Sequence, residues 1–246
     1  MKEHDICVII PTYNNSTTIE KVIVSVLQYC PDVIVVNDGS TDATSDIVQN
    51  IPNITLISYE KNCGKGYALC QGFKAATDRG FRYAITIDSD GQHLASDIPA
   101  FVYLIENNPD AMLIGSRQLG CDGMPKKNTF ANKFSNFWFT LQTGEKLPDT
   151  QTGFRLYPLR KMGKMRLVTK RYEAELELLV RCAWRGIAIV PLNINVFYPD
   201  AENRVSHFRP ARDFARISIL NTCFCLLAVV YGYPAMLVHY IKRHLL

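Results

Sequence analysis

The strongest constraint on the fold is an alternation of short apolar segments and helical patterns over about the first 120 residues. The apolar segments are 6–11, 33–37, 54–58, 83–87 and 111–115. Each is rich in Val, Ile or Leu and too short for a typical helix, as expected for a strand buried on both faces. Helical patterns fill the intervening segments 17–29, 42–50, 65–78 and 96–107. This order predicts an α/β domain with a mostly parallel central sheet flanked by helices.

The chain beyond about residue 121 has a different pattern. Residues 128–143 form an aromatic-rich helical stripe, 149–157 is polar and turn-like, 172–185 indicates a helix, and 187–197 indicates another strand. No linker divides this region. The sequence therefore predicts a single domain over 1–210, followed by an apolar helical tail over 211–246.

The tail contains an uncharged segment, 217–238. As a helix it would span roughly 33 Å at 1.5 Å per residue, close to the thickness of a hydrocarbon core of about 30 Å. Arg212 and Arg216 precede it and Lys242 and Arg243 follow it, so flanking charge sets no orientation. The pattern favours membrane association as a single span, a broken hairpin or an interfacial helix. A buried or oligomer-forming helix is the alternative.

Composition argues against several classes of protein. A net charge of +4 with scattered basic residues does not favour a nucleic-acid partner. The eight cysteines include no CxxC pair, which argues against zinc and favours free thiols in a reducing compartment. The N-terminal sequence enters a strand without the apolar core of a signal peptide. We therefore expect the folded domain to face the cytosol.

Polar clusters follow three of the predicted strands: TYNN (12–15), DGS (38–40) and DSD (88–90). Ligands of such sheets bind at the carboxyl ends of the strands, so these clusters predict a site at one edge. Asp88 and Asp90 are alternate carboxylates that can share a divalent cation, and Gln92 can add a neutral oxygen ligand. Oxygen ligands of this kind favour Mg²⁺ or Mn²⁺.

Two further loops indicate nucleotide binding. Asp38 is placed to accept hydrogen bonds from a nucleobase, Gly39 permits a tight turn, and Asp42 is expected to cap the next helix. The segment NCGKG (62–66) opens a helix, and its glycines predict close approach of a ligand, with Lys65 near a phosphate. A Walker A motif is absent, and no GxGxxG follows the first strand, which disfavours a dehydrogenase.

Six sequence blocks together resemble family 2 glycosyltransferases of the GT-A fold. The blocks are IIPTYNN, VNDGSTD, NCGKGYA, IDSDGQH, GSR (115–117) and DTQTGFR (149–155), in the family's order over about residues 5–210. The set is most similar to polyprenyl-phosphate mannose or glucose synthases, the dolichyl-phosphate mannose synthase group. The resemblance implies inverting transfer of a hexose from a GDP- or UDP-sugar to a membrane lipid, first of all a polyprenyl phosphate.

The resemblance also implies roles for individual residues. The residues expected in or beside the nucleoside pocket are Pro11, Tyr13, Asp38 and Lys65. Those expected to hold Mg²⁺ or Mn²⁺ on the diphosphate are Asp88, Asp90 and Gln92. Those expected near phosphate, sugar or acceptor are Arg117, Asp149, Thr152, Gly153, Phe154 and Arg155. Glu173 and Glu175 match the acidic start of a helix, and His207 and Arg209 match a loop that approaches the diphosphate.

The acceptor decides which of these residues act in the reaction. A lipid phosphate is already ionised, so Arg117, Arg155 and Arg209 would serve as phosphate clamps. A hydroxyl acceptor on a glycolipid or polysaccharide would need a base, with Asp149 the first candidate and Glu173 the second. For Phe154, Glu173 and His207 the alternatives are core, solvated-helix and surface-loop residues.

The sequence departs from the family at two places. Asn15-Ser16-Thr17-Thr18 stand where the family commonly has an acidic residue, and 119–127 has no counterpart that we can map. Rival functions are a nucleotide-binding membrane adaptor without catalysis and a nucleotidyltransferase, which would release pyrophosphate. The expected partners are a nucleotide-sugar, a lipid acceptor and the cytoplasmic face of a membrane, and a homo-oligomer is left open.

Overall fold

A computed structural model of the chain describes residues 5–117, 126–197 and 210–244. The strands of its central sheet are β1 (Ile6–Thr12), β2 (Val33–Asp38), β3 (Ile54–Tyr59), β4 (Tyr83–Thr86), β5 (Met112–Ser116), β6 (Arg155–Pro158) and β7 (Ile189–Asn193). Their order is β3-β2-β1-β4-β6-β5-β7. All neighbouring pairs are parallel except those that β6 makes with β4 and β5. The prediction of a mostly parallel sheet is confirmed.

The helices that flank this sheet are α1 (Ile19–Leu27), α2 (Thr44–Gln49), α3 (Lys65–Asp78), α4 (Ile98–Asn107), α5 (Lys126–Thr143), α6 (Leu159–Met162) and α7 (Glu173–Trp184). A 3₁₀ turn, Ala95–Asp97, leads into α4. The bounds of α3 agree with the prediction, whereas α2 begins two residues later than predicted. At that start Asp42 Oδ1 accepts a hydrogen bond of 3.0 Å from the Thr44 backbone N–H, as expected of a capping carboxylate.

The hydrophobic core lies in two layers, one on each face of the sheet. Cys7 and Ile9 of β1 pack in the layer that contains α3 and α7, while Val8 and Ile10 pack in the layer that contains α1 and α4. All seven residues of β1 are buried. This burial on both faces explains why the strand has a continuous apolar sequence instead of an alternating one.

The strand β6 corrects the prediction that 149–157 is turn-like. Arg155–Pro158 runs antiparallel between β4 and β5, with Arg155 opposite Thr86 and Leu156 opposite Ile85. The strand β6 is only four residues long and begins with a buried Arg. Its sequence is therefore too short to show the two-residue alternation that indicates a strand. The predicted strand 187–197 is also shorter in the structure, Ile189–Asn193.

The tail is helical throughout its described part. It comprises α8 (Pro210–Leu227), a π-helical turn (Ala228–Gly232) and α9 (Tyr233–His244), so the broken-hairpin alternative is wrong for these residues. Pro234 has no N–H to donate to the preceding turn, which accounts for the π geometry there. The helix Arg212–Lys242 contains an 18-residue window of mean hydropathy 1.8 and is long and apolar enough to cross a membrane by length and composition.

One face of the tail packs on α5 and α7. Leu220, Phe224 and Ala228 are buried there, and the Phe224 ring lies 5.2 Å from the Trp184 ring. Gln142 donates a hydrogen bond of 2.9 Å to Asn221 Oδ1 across the same interface. The treatment of 211–246 as a separate membrane-associating segment stays a prediction.

The packing of α3 on β1 gives a stability prediction. A Cβ on Gly72 would lie 2.5 Å from Cγ2 of Ile9, which is fully buried. We expect Gly72→Val to lower the free energy of unfolding by about 1–3 kcal/mol, measured by urea denaturation. The control Lys74→Val places the same side chain on the exposed face of α3 and should change stability by less than about 1 kcal/mol. Equal stability of the two variants would contradict this packing.

Candidate active site

The loops that follow β1 and β4 meet at one edge of the sheet. Asn15 Nδ2 donates a hydrogen bond of 2.6 Å to Ser89 Oγ, and Thr18 Oγ1 donates one of 2.6 Å to the Ser89 carbonyl oxygen. The segment that departs from the family pattern therefore fastens the loop carrying Asp88 and Asp90. Pro11 is buried near the end of β1, and Tyr13 follows it half-buried.

Asp38, at the end of β2, holds the loop that leads into α3. Its carboxylate accepts hydrogen bonds of 2.8 Å from the backbone N–H groups of Cys63 and Gly64, and one of 3.0 Å from Asn62 Nδ2. Gly39 has φ +67° and leaves no room for a Cβ against Asn62 N, so the turn requires glycine. The contact of Asp38 with a nucleobase stays a prediction.

The glycines before and within the first turn of α3 face another part of the chain. Gly64 has φ +103°, and a Cβ there would lie 2.5 Å from the Lys170 carbonyl oxygen. A Cβ on Gly66 would overlap Cβ of Ala174. Residues 170–174 therefore pack directly on this helix end, and the approach of a ligand to these glycines stays a prediction.

Lys65 connects three elements of the site. Its Nζ lies 2.6 Å from Asp88 Oδ1 and 3.0 Å from Glu175 Oε2 at the start of α7. Burial acts to lower the pKa of Lys65, but the charges of these two carboxylates outweigh it and raise that pKa. Burial acts to raise the pKa of Asp88, but Lys65 outweighs it and lowers that pKa. Both groups are therefore charged at neutral pH.

The surroundings of Asp90 disfavour its ionised form, in contrast to those of Asp88. Burial, followed by the charge of Asp88, raises the pKa of Asp90 to about 6. Its Oδ1 accepts a hydrogen bond of 3.0 Å from the Gln92 backbone N–H. A Cβ on Gly153 would overlap Asp88 Oδ2, so the glycine of the DTQTGFR block makes room for this carboxylate. Two crowded carboxylates of this kind are stabilised by a bound cation.

This donor set fits a cation that arrives with a substrate diphosphate. Among the residues that the structure describes, no group of three or more His, Cys, Asp or Glu side chains could hold a metal ion by itself. Mg²⁺ is commonly held in proteins by one or two carboxylates together with substrate phosphates. Asp88 and Asp90 match that pattern, and the Gln92 side chain as a further ligand stays a prediction.

His93 is a residue of this site to which the sequence analysis gave no role. Burial lowers the pKa of His93 to about 4, so its imidazole is neutral at pH 7. Its Nδ1 is buried without a hydrogen-bond partner, and its ring lies 5.5 Å from the Phe154 ring. The sequence signal that could have identified His93 as a site residue is its position at the end of the IDSDGQH block.

Arg117 and Asp149 form a bidentate ion pair beside the end of β5. Arg117 Nε lies 2.6 Å from Asp149 Oδ2, and Nη2 lies 3.0 Å from Oδ1. Asn132 Nδ2 and the Gln151 backbone N–H also donate to Asp149 Oδ1. Burial acts to raise the pKa of Asp149, but the hydrogen bonds and charge of Arg117 outweigh it and lower that pKa. This geometry disfavours the predicted role of Asp149 as a base.

Arg155 is fully buried and binds the chain itself. Its guanidinium donates hydrogen bonds of 2.7 to 2.9 Å to the carbonyl oxygens of Thr150, Thr152 and Glu175. It therefore joins the DTQTGFR block to α7, and its predicted role as a phosphate clamp gains no support from these contacts. Phe154 is fully buried with its ring 4.6 Å from the Phe101 ring, as in the core alternative.

The remaining predicted site residues are Glu173, His207 and Arg209. Glu173 begins α7 and is 7% exposed, and its Oε2 has no hydrogen-bond partner. The loop residues His207 and Arg209 lie outside the described residues, as does most of 119–127. The assignments of all predicted site residues to substrate contacts stay predictions.

The sheet order and the carboxylate pair after β4 agree with the glycosyltransferase resemblance of the six sequence blocks. Residues 7–163 match the family model of glycosyl transferase family 2, and the chain belongs to that family. The chain is 28% identical over 222 residues to a UDP-N-acetylglucosamine–dolichyl-phosphate N-acetylglucosaminyltransferase of Methanococcus voltae, covering 81% of this chain and 88% of the relative. It is 26% identical over 200 residues to the polyprenol monophosphomannose synthase of Mycolicibacterium smegmatis, covering 76% and 75%.

Solved structures confirm the GT-A fold. The glucosyl-3-phosphoglycerate synthase of Mycobacterium tuberculosis, in complex with Mn²⁺, UDP-glucose and phosphoglyceric acid, superposes with a TM-score of 0.65 at 19% identity. That match covers 92% of this chain and 79% of the neighbour. The mannosyl-3-phosphoglycerate synthase of Rubrobacter xylanophilus matches with a TM-score of 0.63 at 16% identity, covering 97% of this chain and 74% of the neighbour.

The Arg117–Asp149 pair predicts a pH-dependent loss of stability. At pH 7 Asp149→Asn leaves Arg117 without its carboxylate and should lower the free energy of unfolding by roughly 3 kcal/mol. The folded-state pKa of Asp149 is lowered, so this stabilisation is complete above the unfolded value of about 3.9 and disappears as pH falls through the folded value.

The measurement is urea denaturation of wild type and Asp149→Asn between pH 7 and about pH 2, a range that includes the window below about 3.9 in which the stabilisation is lost. Asp110→Asn, at a side chain 73% exposed, is the control and should change stability by less than about 0.5 kcal/mol. A difference between wild type and Asp149→Asn that grows as the pH falls would contradict the assignment.

Proposed function

We propose that the protein transfers a hexose from a GDP- or UDP-sugar to a polyprenyl phosphate, with inversion at the anomeric carbon. The observation that carries this proposal is the half-buried pair Asp88 and Asp90 after β4, in which the pKa of Asp90 is raised to about 6. The named activities of the two relatives supply the acceptor class, because they differ in sugar but both act on a lipid phosphate.

A divalent cation at Asp88 and Asp90 would supply Lewis-acid stabilisation of the departing nucleoside diphosphate. Lys65 adds a fixed positive charge beside one of these carboxylates, at 2.6 Å from Asp88 Oδ1. Glu175 in turn orients the Lys65 ammonium. The chain thus sets the position of both carboxylates before the donor arrives, which lowers the cost of reorganisation during transfer.

An ionised acceptor agrees with the surroundings of Asp149. A lipid phosphate needs no base, and the oxygens of Asp149 are already engaged by Arg117, Asn132 and Gln151. Arg117 is fixed by its bidentate pair at the carboxyl end of β5, where a guanidinium is suited to contact phosphate. We assign this contact to the acceptor or the donor diphosphate.

A hydroxyl acceptor is the second candidate, and Glu173 is the observation in its favour. This carboxylate is 7% exposed, and its Oε2 lacks a hydrogen-bond partner. A carboxylate in that condition can accept a proton from an attacking hydroxyl. The two candidates therefore differ in whether Glu173 takes part in the chemistry.

We place the enzyme at the cytoplasmic face of a membrane, associated through the tail. The length and mean hydropathy of Arg212–Lys242 support this placement. A lipid acceptor supports it further, since an enzyme held at the bilayer meets its acceptor in two dimensions.

Replacement of Asp90 tests the carboxylate site. We expect Asp90→Ala to lower sugar transfer by at least about 100-fold, because the site would lose several kcal/mol of charge stabilisation. Asp46→Ala, at an exposed carboxylate on α2, is the control and should retain full activity. Circular dichroism should show both variants folded, and unchanged turnover in Asp90→Ala would remove the basis of the assignment.

A donor and acceptor screen tests the reaction. GDP-mannose, UDP-glucose, UDP-galactose and UDP-N-acetylglucosamine are offered with a polyprenyl phosphate or a total lipid extract. We expect one donor to give a glycosyl phospholipid and a nucleoside diphosphate, with Glu173→Gln lowering the rate by less than about tenfold. Release of pyrophosphate would indicate a nucleotidyltransferase instead.

Transfer to a hydroxyl, with a loss of about 10²–10⁴-fold in Glu173→Gln, would favour the second candidate.

A further inference from the structure

The tail helices expose a face that is as apolar as the face they bury. Its exposed fractions include 69% for Leu226, 79% for Val230 and 59% for Leu237. No Asp, Glu, Lys or Arg lies between Arg216 and Lys242. Soluble monomers rarely leave so continuous an apolar surface uncovered, so this face has an occupant.

The opposite face of the tail is attached to the catalytic domain over nearly its whole length. Asp213 is buried near the start of α8, and Gly232 packs so tightly on Trp184 that a Cβ would overlap its indole. Near the end of the tail, a Cβ on Gly186 would lie 2.7 Å from Cβ of His239. These contacts run from 213 to 239, roughly 39 Å at 1.5 Å per residue.

That length is incompatible with a docked helix that crosses a bilayer. A hydrocarbon core is about 30 Å thick, so a span would carry the attached surface of the catalytic domain into the membrane. The alternative is to undock the tail, which would break the Gln142–Asn221 hydrogen bond and uncover Trp184 and Phe224.

We infer that the tail lies in the plane of the membrane, with its exposed apolar face in an anionic lipid surface and its other face on the catalytic domain. Its α5 neighbour contributes to the same surface. Phe137 and Leu141 of α5 are 60% and 47% exposed, and Tyr233 donates a hydrogen bond of 2.7 Å to the Leu141 carbonyl oxygen. We call the surface formed by Phe137, Leu141, Ile219, Leu226, Val230 and Leu237 the lipid face.

The charges and aromatic residues around the lipid face match a membrane better than a protein partner. Arg212 and Arg216 lie at one end and Lys242 at the other, while Asp213 is buried. Basic groups at the edge of an apolar helix face complement anionic headgroups. Tyr231 and Tyr240 are exposed on the tail, and tyrosines are enriched at the membrane–water interface.

Tyr172 is coupled electrostatically both to the carboxylate site and to the start of the tail. The pKa of Tyr172, which precedes α7, is raised to about 12, chiefly by burial, while Lys65 opposes the rise and both Asp88 and Asp213 add to it. Tyr172 therefore lies within electrostatic range of the site and of the first turns of α8. The inferred position of the tail rests on the proposed function in one respect: the acceptor is taken to be a lipid phosphate at the level of the headgroups.

The sidedness of the C-terminus tests the in-plane arrangement. The full chain, with a protease-cleavable tag at each end, is expressed in cells from which sealed inside-out membrane vesicles are made. We expect protease added outside to remove both tags without detergent, because both ends lie on the cytoplasmic side. A C-terminal tag that is cleaved only after detergent is added would overturn the inference in favour of a span.

The lipid face is tested with a matched pair of valines. Val230→Glu should weaken binding of the purified protein to vesicles of phosphatidylglycerol and phosphatidylcholine by at least about tenfold. Val24→Glu, at a valine 50% exposed on α1, should bind as wild type does. Thermal unfolding checks that both variants fold. Equal binding of the two variants to vesicles would overturn the inference. It would also be overturned if the wild type formed a dimer without lipid and did not bind vesicles, and if Val230→Glu dissociated that dimer.

These results are separable from the proposed reaction. Vesicle binding through Val230 with both tags exposed, but without transfer to polyprenyl phosphate, would support the in-plane tail and contradict the acceptor alone. Transfer to polyprenyl phosphate with a protected C-terminal tag would support the reaction and overturn the in-plane tail.

Discussion

The active-site edge depends on the ion pairs of Lys65 with Asp88 and Glu175. Three carboxylates, counting Asp90, lie close together at the end of β4 and the start of α7, and their mutual repulsion would drive these elements apart. The Lys65 ammonium, at 2.6 and 3.0 Å from two of them, binds the start of α3 to both. Removing one partner of a buried pair commonly costs about 3–5 kcal/mol, and these side chains, 12–26% exposed, should lose less than that because solvent screens the charge that remains.

Three glycines make this arrangement possible, because other atoms occupy the space that a Cβ would need. Gly64 and Gly66 let residues 170–174 pack on α3, and Gly153 leaves room for Asp88. A Cβ at any of the three would meet backbone or a carboxylate that other contacts hold in place. The glycines therefore bring together Lys65, Asp88 and Glu175, which lie far apart in the sequence.

Strands buried on both faces were predictable because burial itself imposes a run of Val, Ile and Leu, as in β1 and β2. The position of Asp88 and Asp90 after β4 followed from the same pattern. In contrast, β6 is four residues long and begins with Arg155, whose burial depends on three carbonyl groups that only the fold supplies. The partner of Lys65 in α7 was not predictable, because helix-start acids such as Glu175 are common in solvated helices. The sequence also could not predict which face of the tail packs on the catalytic domain, because the helix is apolar on both faces.

In the proposed reaction, Asp88 and Asp90 hold a divalent cation together with the donor diphosphate. Electron paramagnetic resonance of Mn²⁺, titrated against the protein with and without UDP or GDP, tests it most directly. Because the pair supplies only part of a coordination shell, we expect strong loss of the free Mn²⁺ signal only when protein and the correct nucleotide are both present, beyond the loss caused by nucleotide alone. A free Mn²⁺ signal that the protein leaves unchanged at saturating nucleotide would contradict it.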